Sequence, residues 1–304
     1  MFLAIHSNEV EIVMWCSPLL YPEKRSKPLA VALPASLTAD LPHLREKTVK
    51  AGLIARTAAI FRVDEIIIYV DKHGTEDEGE LLANILRYCE TPQYLRKRIY
   101  TISALFKYVG LLPPLKIPSH TVASSLDGIK DGDFRDGVVI KTYKDGSLVD
   151  IGLDKPFLVP KKLKRGERVT VKINKTKDSL KLSVVSREEV KLYWGYTVNY
   201  EHKGLVDSIK SFNADLVIAT SKYGDPITKV FNDMKDAIRK SNKILILFGS
   251  PHEGLFEICK RFKVNLSDIA HFIVNTIPFQ GCETVRTEEA MLATLSIINI
   301  MHYI

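Results

Sequence analysis

Short β-branched runs alternate with longer amphipathic stretches over much of the chain. Leu29–Pro34 (LAVALP) and Glu65–Asp71 (EIIIYVD) predict buried strands, with a helix from about Leu41 to Phe61 between them. Asp40 is expected as the N-cap of that helix and Pro42 in its first turn, where a missing N–H costs nothing. Helical spacing continues over Thr75–Cys89 and Gln93–Tyr108. The strand–helix alternation resumes at Tyr193–Tyr200. It predicts strands at Asp215–Thr220, Lys243–Gly249 and Ala270–Asn275, and helices at Ile227–Lys240, Glu253–Phe262 and Thr287–Met301. Strands separated by helices predict an α/β fold, a parallel sheet covered on both faces.

The middle of the chain departs from this pattern. Gly137–Lys141, Leu148–Ile151, Phe157–Val159, Arg168–Ile173 and Leu180–Val185 read as short strands, separated by turn signals such as Lys144-Asp145-Gly146 and Asn174–Asp178. Val169, Val171 and Ile173 alternate with polar residues, as do Leu180, Leu182 and Val184. Five short strands in about 70 residues have the size of a small barrel such as the OB-fold. The α/β pattern on both sides makes it an insertion. Residues 118–189 are expected as the inserted barrel, and residues 1–117 with 190–304 as one discontinuous unit.

Composition narrows the class. Of 304 residues 46% are hydrophobic and 26% charged, which excludes wholesale disorder, collagen and coiled coil. No apolar run reaches membrane-span length; the last helix, about 15 residues and apolar on nearly all sides, must instead be buried, in part against another chain. Met1–His6 lacks the features of a signal peptide. Four cysteines (Cys16, Cys89, Cys259, Cys282) without C-x-x-C spacing suggest neither a zinc site nor a disulfide framework, so a metal-free cytoplasmic protein is expected. The net charge of +7 is localised: Pro160–Lys181 holds nine basic groups (Lys161, Lys162, Lys164, Arg165, Arg168, Lys172, Lys175, Lys177, Lys181) against Glu167 and Asp178. Such a run is either a solvated barrel edge or a face that tracks phosphates, and the barrel context favours nucleic acid. Arg96-Lys97-Arg98 either extends that track or is a solvated helix end.

Ligands of open parallel sheets bind beyond the carboxyl ends of the strands. Three loops qualify: Thr220–Gly224, Phe248–Leu255 and Asn275–Thr287. No G-x-G-x-x-G or P-loop is present. Ser250-Pro251-His252-Glu253 also reads as a capping box with Pro at N1, a purely structural account. No such account covers Asn275, Gln280, Glu283, Thr284 and Arg286, polar residues crowded between two apolar runs.

The stretches FGSPHEGL (248–255) and IPFQGCETVRTEE (277–289) resemble the cofactor loops of the SPOUT superfamily of S-adenosylmethionine-dependent RNA methyltransferases, specifically the archaeal and eukaryotic subfamily with an inserted OB-like domain. IARTAAIFRVDEI (54–66), CETPQYLRKR (89–98), GLLPP (110–114) and YWGY (193–196) agree with it. The resemblance implies a Rossmann-like sheet with a C-terminal trefoil knot, S-adenosylmethionine as cofactor, and a homodimer. Carried onto this chain, it implies cofactor contacts at Thr220, Gly224, Phe248, Gly249, Ser250, Glu253, Gly254, Asn275, Ile277, Pro278, Gly281 and Thr284. Gly249, Gly254 and Gly281 are expected to give main-chain access, and Ile277, Pro278 and Leu255 an apolar wall for adenine. Cys282 stands where the family more often has another residue, and is expected as a small packed side chain.

Four residues are candidates for the reaction itself. Arg45 and Arg56 lie 11 positions apart, about three helical turns, on one face. Glu283 and Arg286 would position donor or target, or pair with each other. His120 and His252 have no visible partner. The expected chemistry is methylation of a base nitrogen, N3 of uridine, in structured and preferably ribosomal RNA. The rivals are ribose 2′-O-methylation and a non-catalytic RNA-binding or assembly factor on the same scaffold.

Overall fold

The computed structural model describes residues 22–121, 125–176 and 179–303. The signal-peptide reading of Met1–His6, Cys16, Lys177 and Asp178 lie outside these residues. In chain order the strands are β1 (Leu29–Pro34), β2 (Glu65–Tyr69), β3 (Phe134–Thr142), β4 (Ser147–Asp150), β5 (Phe157–Val159) and β6 (Arg168–Lys175). They continue with β7 (Leu180–Val185), β8 (Thr197–Asn199), β9 (Leu216–Pro226), β10 (Ile244–Leu247) and β11 (Phe272–Asn275). The helices are α1 (Leu44–Ile60), α2 (Glu76–Glu90), α3 (Gln93–Ile99), α4 (Leu205–Phe212), α5 (Ile227–Lys240), α6 (Leu255–Arg261), α7 (Leu266–Ile269) and α8 (Thr287–Tyr303).

Six strands form one parallel sheet in the order β11-β9-β10-β1-β2-β8. Every residue of β1 is buried because the sheet is covered on both faces. Leu29, Val31 and Leu33 meet the layer of α1, α2, α5 and α8, while Ala30 and Ala32 meet the layer of α4, α6 and α7. The other five strands form an antiparallel sheet, β5-β4-β3-β6-β7, whose edge strands β5 and β7 approach each other to nearly close a barrel around Val139, Val149, Val159 and Val171. The two-sheet expectation therefore holds at the level of mixed α/β architecture.

Several element boundaries differ from expectation. α1 begins at Leu44 with His43 in the capping position, and the Asp40 carboxylate pairs with Lys50 at 3.3 Å instead of capping. α3 stops at Ile99 and gives way to isolated 3-10 turns, where the β-branched Thr101 and Ile102 disfavour continuation. Of Tyr193–Tyr200 only three residues are strand, because Gly195 takes φ +108° and turns the aromatic side chains inward. The hydroxyl of Tyr193 donates to the Val63 carbonyl and that of Tyr196 to the Leu86 carbonyl. α8 buries Met291, Leu295, Ile298 and Met301 but leaves Leu292 and Ile300 about half exposed. No helix of the described residues is long and apolar enough to cross a membrane.

The barrel meets the parallel sheet through a buried polar joint. Glu90, ending α2, accepts from Arg168 Nη1 at 2.5 Å and from Arg187 Nη2 at 2.9 Å. Arg168 also pairs with Asp136 of β3, which accepts from Trp194 Nε1 and Thr170 Oγ1 at 2.9 Å each. His120 Nε2 lies 2.8 Å from the Glu90 carbonyl oxygen. Burial alone would lower the Arg168 pKa, but the flanking carboxylates outweigh it and push the pKa up, so the guanidinium stays charged.

Candidate active site

The cleft begins with a fault in the sheet. β9 pairs with β11 in register at Ile218 and Ala219, then again only at Asp225 and Pro226, so Thr220–Gly224 swing out of the ladder. Gly224 makes this crossing feasible: a Cβ there would lie 2.6 Å from the Ile273 carbonyl oxygen. The bulge is tied down by Asn275, whose Nδ2 donates to the Lys222 carbonyl at 3.1 Å while its Oδ1 accepts from the Ile277 N–H at 3.0 Å.

Beyond β10, the chain folds into a tight turn. The Ser250 N–H donates to the Glu253 carbonyl at 2.8 Å, and Ser250 Oγ accepts from the Glu253 N–H at 3.0 Å. This corrects the capping-box reading. α6 starts later, at Leu255, with Gly254 in the capping position, and Glu253 pairs with Arg261. That pair holds the Glu253 carboxyl below its ordinary pKa, chiefly through the hydrogen bond from Arg261. A Cβ on Gly249 would sit 3.0 Å from the Glu253 carbonyl oxygen, so the turn closes directly over glycine. Behind it, the buried Tyr69 hydroxyl donates to the Phe248 carbonyl at 2.7 Å.

The third wall is the loop after β11. Thr276 and Thr294 hydroxyls lie 2.9 Å apart, and Thr287 Oγ1 donates to the Gly249 carbonyl at 3.1 Å, joining the start of α8 to the second loop. The three loops enclose a cleft of about 340 Å³. Of the expected cofactor contacts, Thr220, Phe248, Gly249, Ser250, Glu253, Gly254, Asn275, Ile277 and Thr284 line it. Gly224, Pro278 and Gly281 do not. Gly224 serves strand packing, and Gly281 faces open space with nothing within 4 Å of a built Cβ. Leu255, the first residue of α6, is fully buried in the core and supplies no wall. Tyr223 and Val285, within the expected loops but not singled out in them, also face the cleft, and Glu257 of α6, outside those loops, was missed. Only the bulge brings Tyr223 there, and no spacing rule announces a bulge.

A family model described as "Putative RNA methyltransferase" matches residues 28–298. The chain belongs to that RNA methyltransferase family. A protein of Halobacterium salinarum is 31% identical over 289 residues, spanning 89% of this chain and 98% of its own length. The 28S rRNA (uridine-N(3))-methyltransferase of Homo sapiens is 34% identical over 317 residues, 90% of this chain and 79% of that protein. The Drosophila melanogaster protein of the same name is 33% identical over 304 residues, 88% of this chain and 61% of that protein.

The remaining expected residues take definite positions in the fold. Arg45 is exposed on α1, whereas Arg56 of the same helix donates to the Leu115 carbonyl at 2.7 Å and thereby anchors residues 114–115. Glu283 and Arg286 are exposed on the third loop, off the cleft wall, and the Arg286 N–H donates to the Glu289 carboxylate at 2.9 Å. Cys282 is exposed on that loop, not packed as expected. His252 lines the cleft; His120 is a core histidine whose pKa burial lowers.

The basic residues divide as sharply. Lys161, Lys162, Lys164, Arg165 and Lys172 are exposed on the barrel, as Lys97 and Arg98 are on α3. Arg98 pairs with Asp150 at 3.0 Å, while Arg96 donates to the Thr91 and Cys89 carbonyls and lies 4.6 Å from the Tyr88 ring centroid. Arg168 corrects its expectation: its charge is committed to Glu90 and Asp136, so it belongs to the joint rather than to a free cationic face. Among the described residues no group of acidic, histidine or cysteine side chains is arranged to hold a metal.

Proposed function

We propose that the chain transfers the methyl group of S-adenosylmethionine to N3 of a uridine in ribosomal RNA. The observation that carries this reading is the convergence on one cleft of the β9 bulge and the loops at the carboxyl ends of β10 and β11. The uridine-N3 and ribosomal terms come from the names of the human and fly relatives.

The residues present fit the donor. The cleft volume suits a small cofactor, Val274 and Ile277 offer an apolar wall, and the Gly249–Gly254 turn presents bare main chain. Glu257 adds a carboxylate to a wall facing a cationic sulfonium ligand. S-adenosylmethionine carries an already activated methyl group, leaving the protein to align the reactants and to accept the N3 proton. Tyr223, 69% exposed at the cleft, and Phe279, fully exposed with φ +58°, are available to stack on an extruded base. We assign Glu283, Arg286, Arg45 and Arg56 to the approach of the RNA, Arg56 indirectly through the segment it anchors.

The same reading takes residues 118–189 as an inserted OB-like RNA-binding domain and the C-terminal segment as knotted. The Thr287–Gly249 bond, which brings the chain back across the second loop, supports the knot. Homodimerisation is supported by apolar side chains left in water on two adjoining helices: Val49, Leu53 and Ile60 of α1, and Leu292 and Ile300 of α8. The free Cys89, Cys259 and Cys282 suit a reducing cytoplasm. Calorimetry with S-adenosylmethionine tests the enzyme reading, which no binding at millimolar ligand would defeat. Mass spectrometry of ribosomal nucleosides from a deletion strain should show loss of 3-methyluridine; loss of a 2′-O-methylnucleoside would move the chemistry to ribose.

A further inference from the structure

The outer face of the barrel carries a second cleft, about 550 Å³, formed by Tyr143, Lys144, Asp145, Gly146, Leu148 and Leu158. Strand register explains why these side chains meet. Lys141 of β3 pairs with Leu148 of β4, and Leu148 pairs with Leu158 of β5, so the three form one cross-strand row. Their neighbours Val149 and Val159 are fully buried, which places the row on the outside. Tyr143, two residues beyond Lys141, stands at the end of the row with the Lys141 ammonium 5.0 Å from its ring centroid.

This surface is apolar where a barrel's exterior has no internal reason to be. Leu158 of β5 is 64% exposed and Tyr143 43% exposed, and Tyr143 opens a turn closed by its own N–H donating to the Gly146 carbonyl at 2.8 Å. Gly146 is held against β5, where a Cβ would meet the Val159 carbonyl oxygen at 2.5 Å. The aromatic platform is therefore mounted on a fixed turn. Lys144 lines the cleft beside the single Asp145, Lys141 stands next to it over the Tyr143 ring, and exposed Lys161 and Lys162 follow shortly after β5. An aromatic face beside cations matches an unpaired nucleotide: the base stacks on the ring while lysines meet the phosphates.

We propose that Tyr143, Leu148 and Leu158 form a stacking subsite for an unpaired RNA base, with Lys141 and Lys144 serving its backbone. The subsite rests on the reading of RNA as substrate. It also goes beyond the lysine track, because charge alone binds paired and unpaired RNA alike whereas a stacking platform needs a free base face.

The test is fluorescence anisotropy of the full chain, without methyl donor, on a labelled single-stranded oligouridylate and on a labelled RNA duplex of equal length. Tyr143→Ala should weaken single-strand binding at least about fivefold and leave duplex binding unchanged, while Tyr143→Phe stays within about twofold of wild type. Leu158→Ala, a second exposed position, should show the same selectivity for the single strand. Unchanged single-strand affinity in Tyr143→Ala would overturn the subsite. So would equal losses on both probes, which is also the pattern left if the surface serves a protein partner and the fold is merely perturbed. Wild-type protein that bound neither probe would defeat the RNA reading of the barrel itself, and the subsite with it.

Discussion

The cleft of the parallel sheet and the surface of the barrel use polar groups in opposite ways. In the cleft, side chains mostly hold one another and the main chain: Asn275 ties the bulge, Thr276 meets Thr294, Ser250 closes its turn, and Glu253 holds Arg261. What remains to face a ligand there is main chain shaped by Gly224 and Gly249, with side chains such as Tyr223, His252 and Glu257 around it. On the barrel, Lys161, Lys162, Lys164, Arg165 and Lys172 stand in water, with their charge at the surface. Between the two lies Arg168, a cation from the same basic run that has been turned inward to bind Glu90 and Asp136. On the proposed reading the first region would bind by shape and be sensitive to single atoms. The second would bind by charge, and its effects should grade with the number of cations.

The joint is where this contrast is easiest to break. Arg168→Met should cost about 3–5 kcal/mol, because Glu90 and Asp136 are left buried with a partner gone. Chemical denaturation measures it, and a loss below about 1 kcal/mol would mean Arg168 is a surface cation after all. Next comes the cleft. Gly224→Ala should lower stability by about 1–3 kcal/mol, since its methyl group would meet the Ile273 carbonyl. Calorimetry on the same variant should find weakened S-adenosylmethionine binding, whereas Gly281→Ala, facing open space, should bind donor as wild type does.

That pair of glycines shows what was legible from sequence. The strand–helix alternation identified the parallel sheet, because residues such as Ile66, Ile67 and Ile68 are buried on both faces and permit little else. Two of the three cleft loops, those after β10 and β11, lie where the rule about strand ends expects them, whereas Thr220–Gly224 is a bulge inside β9, which runs on to Pro226. Within the loops, residue type did not give the geometry. Gly281 faces open space off the cleft wall, and Ser250–Glu253, which reads as a helix cap, is a separate turn. The bulge at Thr220–Gly224 had no sequence signature, because it depends on how far β11 runs beside β9. Arg168 was indistinguishable from its lysine neighbours until the fold brought Glu90, 78 positions earlier, against it.

The joint should also make stability depend on pH. His120 is buried beside Glu90, and desolvation lowers its pKa below the ordinary 6.5. The folded state therefore binds its proton less readily than the unfolded chain. Stability is full above about pH 6.5 and falls as pH drops from there toward the folded pKa. His120→Gln keeps a donor for the Glu90 carbonyl and removes the titration, so its denaturation midpoint should vary less over that window than that of wild type. A parallel decline in the two proteins would assign the pH dependence to other groups.

The smallest effects sharpen the barrel side of the contrast, because two lysines of one basic run have different employment. Lys162 is exposed, while the Lys175 ammonium donates to the Leu126 and Ile129 carbonyls at 2.8 and 2.9 Å. If the surface tracks phosphates, Lys162→Ala should weaken binding of single-stranded RNA modestly and reduce the slope of log affinity against log salt by about 0.7. Lys175→Ala should leave that slope where it is and lower stability instead, since its charge is already spent on the segment preceding β3. Equal slopes for both variants would mean that position in the basic run, rather than what each ammonium touches in the fold, decides which cations meet RNA.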